Sequence, residues 1–198
     1  LVDEAESLAT VAAVDPDAVA ALGARLAGCG GIRTVVASSV RLEIVARRLP
    51  GLDWLVPALA SPEWLGPLAP EDAVGIVVQG QVPPEDRHPL PEGAVERVLT
   101  LAGGHPLLLQ LLAKRVAETG DPAAAEQAVA SEPAVRSLVE VDLRLLPELD
   151  RATVSAVVLG ESVSAAGDRV EMLVALGLLR RNGHGRLVPG NAAVARWG

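Results

Sequence analysis

The chain has 198 residues, half of them hydrophobic, with no Phe, no Tyr and three Trp. An aliphatic core of Leu, Val, Ala and Ile is available, whereas aromatic platforms for stacking single-stranded nucleic acid are excluded. The net charge of −8 opposes broad binding to a polyanion.

One cysteine, Cys29, rules out an internal disulfide and points to a reducing, cytoplasmic setting. No signal peptide is visible, and no apolar run approaches the roughly 18 residues of a membrane span. The opening LVDEAE lacks a Met and starts in mid-pattern, so a trimmed chain is expected.

In chain order, residues 15–28 (DPDAVAALGARLAG) predict a helix. Asp15 serves as N-cap, Pro16 opens the first turn, Val19, Leu22 and Leu26 share a face, and Gly28 closes it. Residues 32–39 (IRTVVASS) follow two glycines and read as a buried strand, residues 41–49 as a short helix, and residues 52–56 (LDWLV) as a short strand. With the opening LV as the end of another strand, alternation predicts an α/β unit over 1–57 with part of a parallel sheet.

From 58 to 146 the pattern turns helical, in stretches 70–79, 91–102, 106–119 and 121–139, with a Pro-rich loop at 80–93. Residues 147–198 give two helices, 149–160 and 168–179, and then two short strands around Asn182-Gly183-His184-Gly185. Helices followed by a hairpin predict a winged helix-turn-helix. From Glu148 onward six Arg face five acids, so this tail carries +1 and the remainder −9.

Three places could carry chemistry. Asp3 and Glu4 follow apolar residues, as an acidic pair at a strand tip would; the first could hold Mg²⁺ through water and the second polarise an attacking water. A solvated acidic turn looks the same. Ser38 and Ser39, with Arg41 just beyond, would end a strand on the edge where ligands of open α/β sheets sit; a polar helix N-cap is the plain alternative. In LAGGHPLLLQLL (101–112), Gly103 and Gly104 end one helix and Pro106 starts the next. Either this is a simple corner, or Gly103-Gly104-His105-Pro106 brings bare backbone up to a ligand. His88, His105 and His184 lack metal-ligand spacing.

The order of these motifs resembles the STAND branch of the AAA+-related P-loop ATPases. LVDEAE looks like a Walker B motif, TVVASS like a sensor 1 strand, GGHPLLLQLL like the lid motif, and residues 177–197 (GLLRRNGHGRLVPGNAAVARW) like the wing and final helix of a winged-helix domain. The resemblance implies ATP and Mg²⁺ as cofactors, with Mg²⁺ at Asp3 and catalysis at Asp3 and Glu4. Nucleotide contacts would come from Ser38, Ser39, Arg41, Gly103, Gly104, His105 and Pro106. It further implies a signal-transducing switch with protein partners or self-assembly. No G-x-x-x-x-G-K-[ST] occurs in the 198 residues, so these residues alone are expected to hydrolyse no ATP.

Two other readings compete: a DNA-binding transcription regulator without ATPase activity, and a structural adaptor. The tail's arginines favour the first. The helix DRVEMLVALG disfavours it, because Val170, Leu173, Val174 and Leu176 stand where a DNA reader needs donors.

Overall fold

The computed structural model describes residues 5, 7–30, 35–38, 51, 54, 65–163 and 167–198. The chain divides into two compact units, Leu1–Glu63 and Trp64–Gly198.

In the first unit, helix α1 spans Ser7–Val14 and α2 spans Pro16–Gly28. Pro16 cannot continue α1, because it has no N–H to donate, but it suits the first position of α2. Asp15 caps α2 by accepting from the Ala18 N–H at 3.0 Å. Val19 is buried, and the backbone at Gly23 is met by the indole of Trp54, which any Cβ there would overlap. Ala5 N–H donates to Ala37 O at 3.0 Å, and Val36 forms an isolated bridge.

These observations correct the α/β expectation. The described structure is mostly helical, with ten α-helices, and its one sheet is a two-stranded antiparallel hairpin in the second unit. The apolar β-branched run around Val35 and Val36 predicted a buried strand, but Val35 is exposed, Val36 is half-buried, and a single bridge is no ladder. Trp54, inside the expected strand 52–56, stands in a turn against α2. The rest of that expected sheet lies outside the described residues.

The second unit begins with α3 (Pro70–Val77), a 3₁₀ turn (Pro84–Asp86), α4 (Ala94–Ala102) and α5 (Pro106–Thr119). Next come α6 (Pro122–Ala130) and α7 (Pro133–Leu145). Residues 121–139 predicted one helical stretch; Pro133 divides it, since its missing N–H and its ring fit only a new first turn. Helices α8 (Glu148–Val158) and α9 (Asp168–Ala175), strands β1 (Leu179–Arg181) and β2 (Leu187–Pro189), and α10 (Ala192–Trp197) complete the unit. For 147–198 the helices and hairpin thus follow the expected order, and a winged-helix assignment rests on that order alone.

One apolar core runs through this unit. Val98, Leu109, Val116, Val135, Val154 and Leu173 are all fully buried in it, so the helical stretch and the hairpin stretch share their interior. The strands pair in the register Leu179↔Pro189 and Arg181↔Leu187. Asn-Gly marks the turn, but the left-handed residue is Gly185 at φ 72°, not Gly183. Asn182 acts through its side chain, whose Oδ1 accepts from the His184 and Arg186 N–H groups, both at 3.0 Å.

Helix α10 closes the core. Asn191 caps it through Val194 N–H at 2.9 Å, and Trp197 Nε1 donates to Ala130 O at 3.2 Å. The Arg136 guanidinium lies 4.9 Å from the Trp197 ring centre, a cation–π stack that adds to this anchor.

Helices α8 and α9 are joined by an asymmetric ion pair. Asp150 is 2% exposed, and Arg169 Nε donates to its Oδ1 at 2.8 Å, while the Arg169 side chain is half exposed. Removing the arginine strands a buried carboxylate, whereas removing the carboxylate frees a cation that reaches water. Arg169→Met is therefore expected to cost about 2 kcal/mol, below a fully buried pair because of that exposure. Asp150→Asn should cost clearly less. Urea unfolding of both variants checks the order, and equal losses would refute the asymmetry.

Candidate functional site

The corner between α4 and α5 is built from residues 102–107. Gly103 closes α4 in the left-handed region, φ 57° and ψ 31°, with its N–H donating to Leu99 O at 3.0 Å. Gly104 is also left-handed, at φ 79°. His105 returns to extended backbone as the N-cap of α5, and Pro106 takes the first helical position. Local chemistry alone thus accounts for the punctuation.

Tertiary packing adds a second requirement. A Cβ on Gly103 would overlap the carbonyl oxygen of Gly190, just beyond β2. A Cβ on Gly104 would lie 2.9 Å from Pro67 Cβ and 3.0 Å from Leu68 O, and Leu68 N–H donates to Gly104 O at 2.9 Å. Gly190 in turn stands against the Gly177 carbonyl, and a Cβ on Gly177 would reach Pro67 Cγ at 2.6 Å. Four chain segments, around Pro67, Gly104, Gly177 and Gly190, therefore meet closely, main chain against main chain except where the Pro67 ring faces Gly104 and Gly177.

The bare backbone of Gly103 and Gly104 is approached by the protein's own chain. Pro106 and Leu107 are exposed on the other side of the corner. His105 lies between, half-buried, with its Nδ1 inaccessible and without a hydrogen-bond partner. Burial holds its pKa below the ordinary 6.5, against a smaller opposing contribution from its own backbone.

Of the other expected site residues, Ser38 is half-buried and engaged in an interaction, one residue beyond the Ala5–Ala37 hydrogen bond. Asp3, Glu4, Ser39 and Arg41 lie outside the described residues. Among the described residues, no group of three or more His, Cys, Asp or Glu side chains could hold a metal ion. No described helix is long and apolar enough to cross a membrane.

Two of the hairpin's three arginines are committed: Arg181 pairs with Glu171 and Arg186 Nη2 donates to Gly160 O at 2.9 Å, while Arg180 is exposed; on α9, Arg169 is held by Asp150. Sequence reasoning missed Pro67, Gly177 and Gly190 as partners of the corner. Their only sequence signal is small or rigid residue type, which does not name a partner so distant in the chain.

No family model matches the chain, nor does any curated protein or solved structure.

The junction gives a direct test. Gly120 is left-handed like Gly103, at φ 70°, but an added Cβ there meets nothing within 4 Å. Gly120→Ala should cost about 1 kcal/mol, the backbone term alone. Gly103→Ala adds the collision with Gly190 and should cost about 3 kcal/mol. Equal thermal-stability losses would show that the junction yields easily.

His105 also links stability to pH. Its folded pKa lies below the unfolded one, so its neutral form is preferred in the folded chain. That stability is complete above pH 6.5 and is lost as pH falls from 6.5 toward the folded value. His105→Gln should flatten the urea midpoint across this window. Asp142, whose pKa is raised by burial above 3.8, acts in the opposite sense at lower pH, since protonation relieves its penalty. An unchanged pH profile in His105→Gln would rule out His105 as the source.

Proposed function

We propose that this chain is a cytoplasmic regulatory switch module, in which a nucleotide-dependent event at the Gly103–Pro106 corner is passed to the hairpin through the Gly103–Gly190 contact. The observation that carries the reading is the backbone junction: a turn of the corner would press on the Gly190 carbonyl, because no side chain lies between Gly103 and Gly190 to absorb the motion. The STAND-like order of motifs supports ATP with Mg²⁺ as the effector. The exposed Pro106 and Leu107 offer an apolar surface on which an adenine ring could pack. Nothing in the 198 residues suits the triphosphate, for which a P-loop would have to come from elsewhere. Partners on this reading are proteins. A DNA-binding regulator has less support, because Arg169, Arg181 and Arg186 are spent on internal contacts.

The test uses the full gene product and amide hydrogen exchange. ATP–Mg²⁺ should bind, and exchange at residues 190 and 191 should differ between the ATP and ADP states. The 198-residue chain alone should show no ATP turnover. If the full product ignores ATP–Mg²⁺, or if residues 190 and 191 exchange alike in both states, the switch reading fails.

A further inference from the structure

A cleft of about 350 Å³ opens between the end of α3, the Pro-rich loop and one face of α5. Its floor is aliphatic: Ile76, Ala113 and Ala117. Gln110, Ala113, Lys114, Ala117 and Glu118 follow the three- and four-residue spacing of one helical face, and the small Ala113 and Ala117 leave the trough open. The volume is that of a small-molecule site.

The loop that walls the cleft is held by its own side chains. Gln79 adopts φ 55°, a left-handed conformation that a non-glycine residue rarely takes. Its amide clamps the His88 backbone, accepting from His88 N–H at 2.9 Å and donating to His88 O at 3.3 Å. Arg87 Nε donates to Val82 O at 2.8 Å. The wall therefore exists before any ligand arrives, which lowers the ordering cost of binding.

Charge at the rim is unequal. The Glu118 carboxylate is taken by Arg115 Nη1 at 2.9 Å, and Arg115 also bridges to Glu132 at 2.9 Å. Lys114 Nζ stands 4.0 Å from Glu118, too far for a hydrogen bond. The Lys114 ammonium, the Gln110 amide and the His88 imidazole make no side-chain hydrogen bond among the described residues, and all three border the same trough. Two of them are donors in every state, and the third donates through one ring nitrogen even when neutral.

We infer that this cleft binds a small organic carboxylate, its compact aliphatic body on the Ile76–Ala113–Ala117 floor and its carboxylate at Lys114 and Gln110. An alkylammonium is disfavoured, because it would meet the Lys114 ammonium while the Glu118 carboxylate is engaged by Arg115 at 2.9 Å.

The probe is hexanoate, titrated into the ¹⁵N-labelled chain while the amides of residues 110–118 are followed by NMR. Saturable shifts confined to the cleft are expected. Butyrate should bind more weakly, by about fourfold for each methylene removed from the floor. Lys114→Ala should weaken hexanoate about fivefold, the upper range for an exposed ion pair, and Lys114→Arg should not. Ala117→Leu, an exposed position, should fill the trough and abolish binding with the rest of the spectrum unchanged. Absence of saturable shifts, equal binding of hexanol or hexylamine, or indifference to Lys114→Ala and Ala117→Leu would each overturn the assignment.

Discussion

The second unit depends on one close approach, the Gly103 Cα to the Gly190 carbonyl. Most helix packing is mediated by side chains, which can change rotamer and absorb a shift of a few tenths of an ångström. Here two stretches of main chain are in direct contact, and main chain cannot repack. Around that contact the other segments fall into place. Gly104 takes the Leu68 N–H, Gly177 accommodates Pro67, and Asn191, next to Gly190, begins α10. Helix α10 then carries Trp197 to the Ala130 carbonyl between α6 and α7. A single constraint thus orders the corner, the hairpin and the last helix, which explains why their side chains share one core.

Charge is spent in the same economical way. The chain carries −8, yet several of its described arginines are matched to particular carboxylates: Arg97 to Glu126, Arg115 to Glu118 and Glu132, Arg136 to Glu140, Arg181 to Glu171. Each exposed pair contributes little stability. Their larger effect is on the surface field, since a matched arginine offers less to a polyanion. The acidic excess of −8 is then left mostly on the outside, where it repels polyanions.

What was legible in the sequence is the chemistry that acts within one turn of chain. Asp15 before Pro16, Gly103 after α4, Pro106 at the start of α5 and the hairpin around Asn182 could be read because caps and turns depend on neighbours only a few residues away. Residue type misleads where tertiary placement decides. The β-branched run at Val35 and Val36 favours a strand wherever it lies, but here Val35 is exposed and the run makes one bridge. The stretch 121–139 has unbroken helical periodicity, and only the weight given to Pro133 separates one helix from two. For the candidate site, the backbone of the corner was legible and its partners were not. Gly190 lies far along the chain from Gly103, and glycine carries no side-chain chemistry to announce a contact. The left-handed Gln79 is equally silent, because its conformation is fixed by a clamp on His88 that no local rule requires.

Helix α5 joins the two regions on which function would turn. Its first residue, Pro106, stands at the junction, and Gln110 to Glu118 line the cleft. Fourteen residues make a rod of about 21 Å, and a rotation of about 10° at one end would carry the other by about 4 Å. The rod is stiff because Leu108, Leu109, Leu112 and Val116 are all buried along its inner face. On the proposed switch, a tilt at the Gly103–Gly190 contact would change the distance between α5 and the wall held by Gln79. Free energies of coupled sites are reciprocal, so a ligand in the cleft would bias the corner by as much as the corner biases the cleft. The aliphatic face that builds the core is also what makes the helix able to transmit.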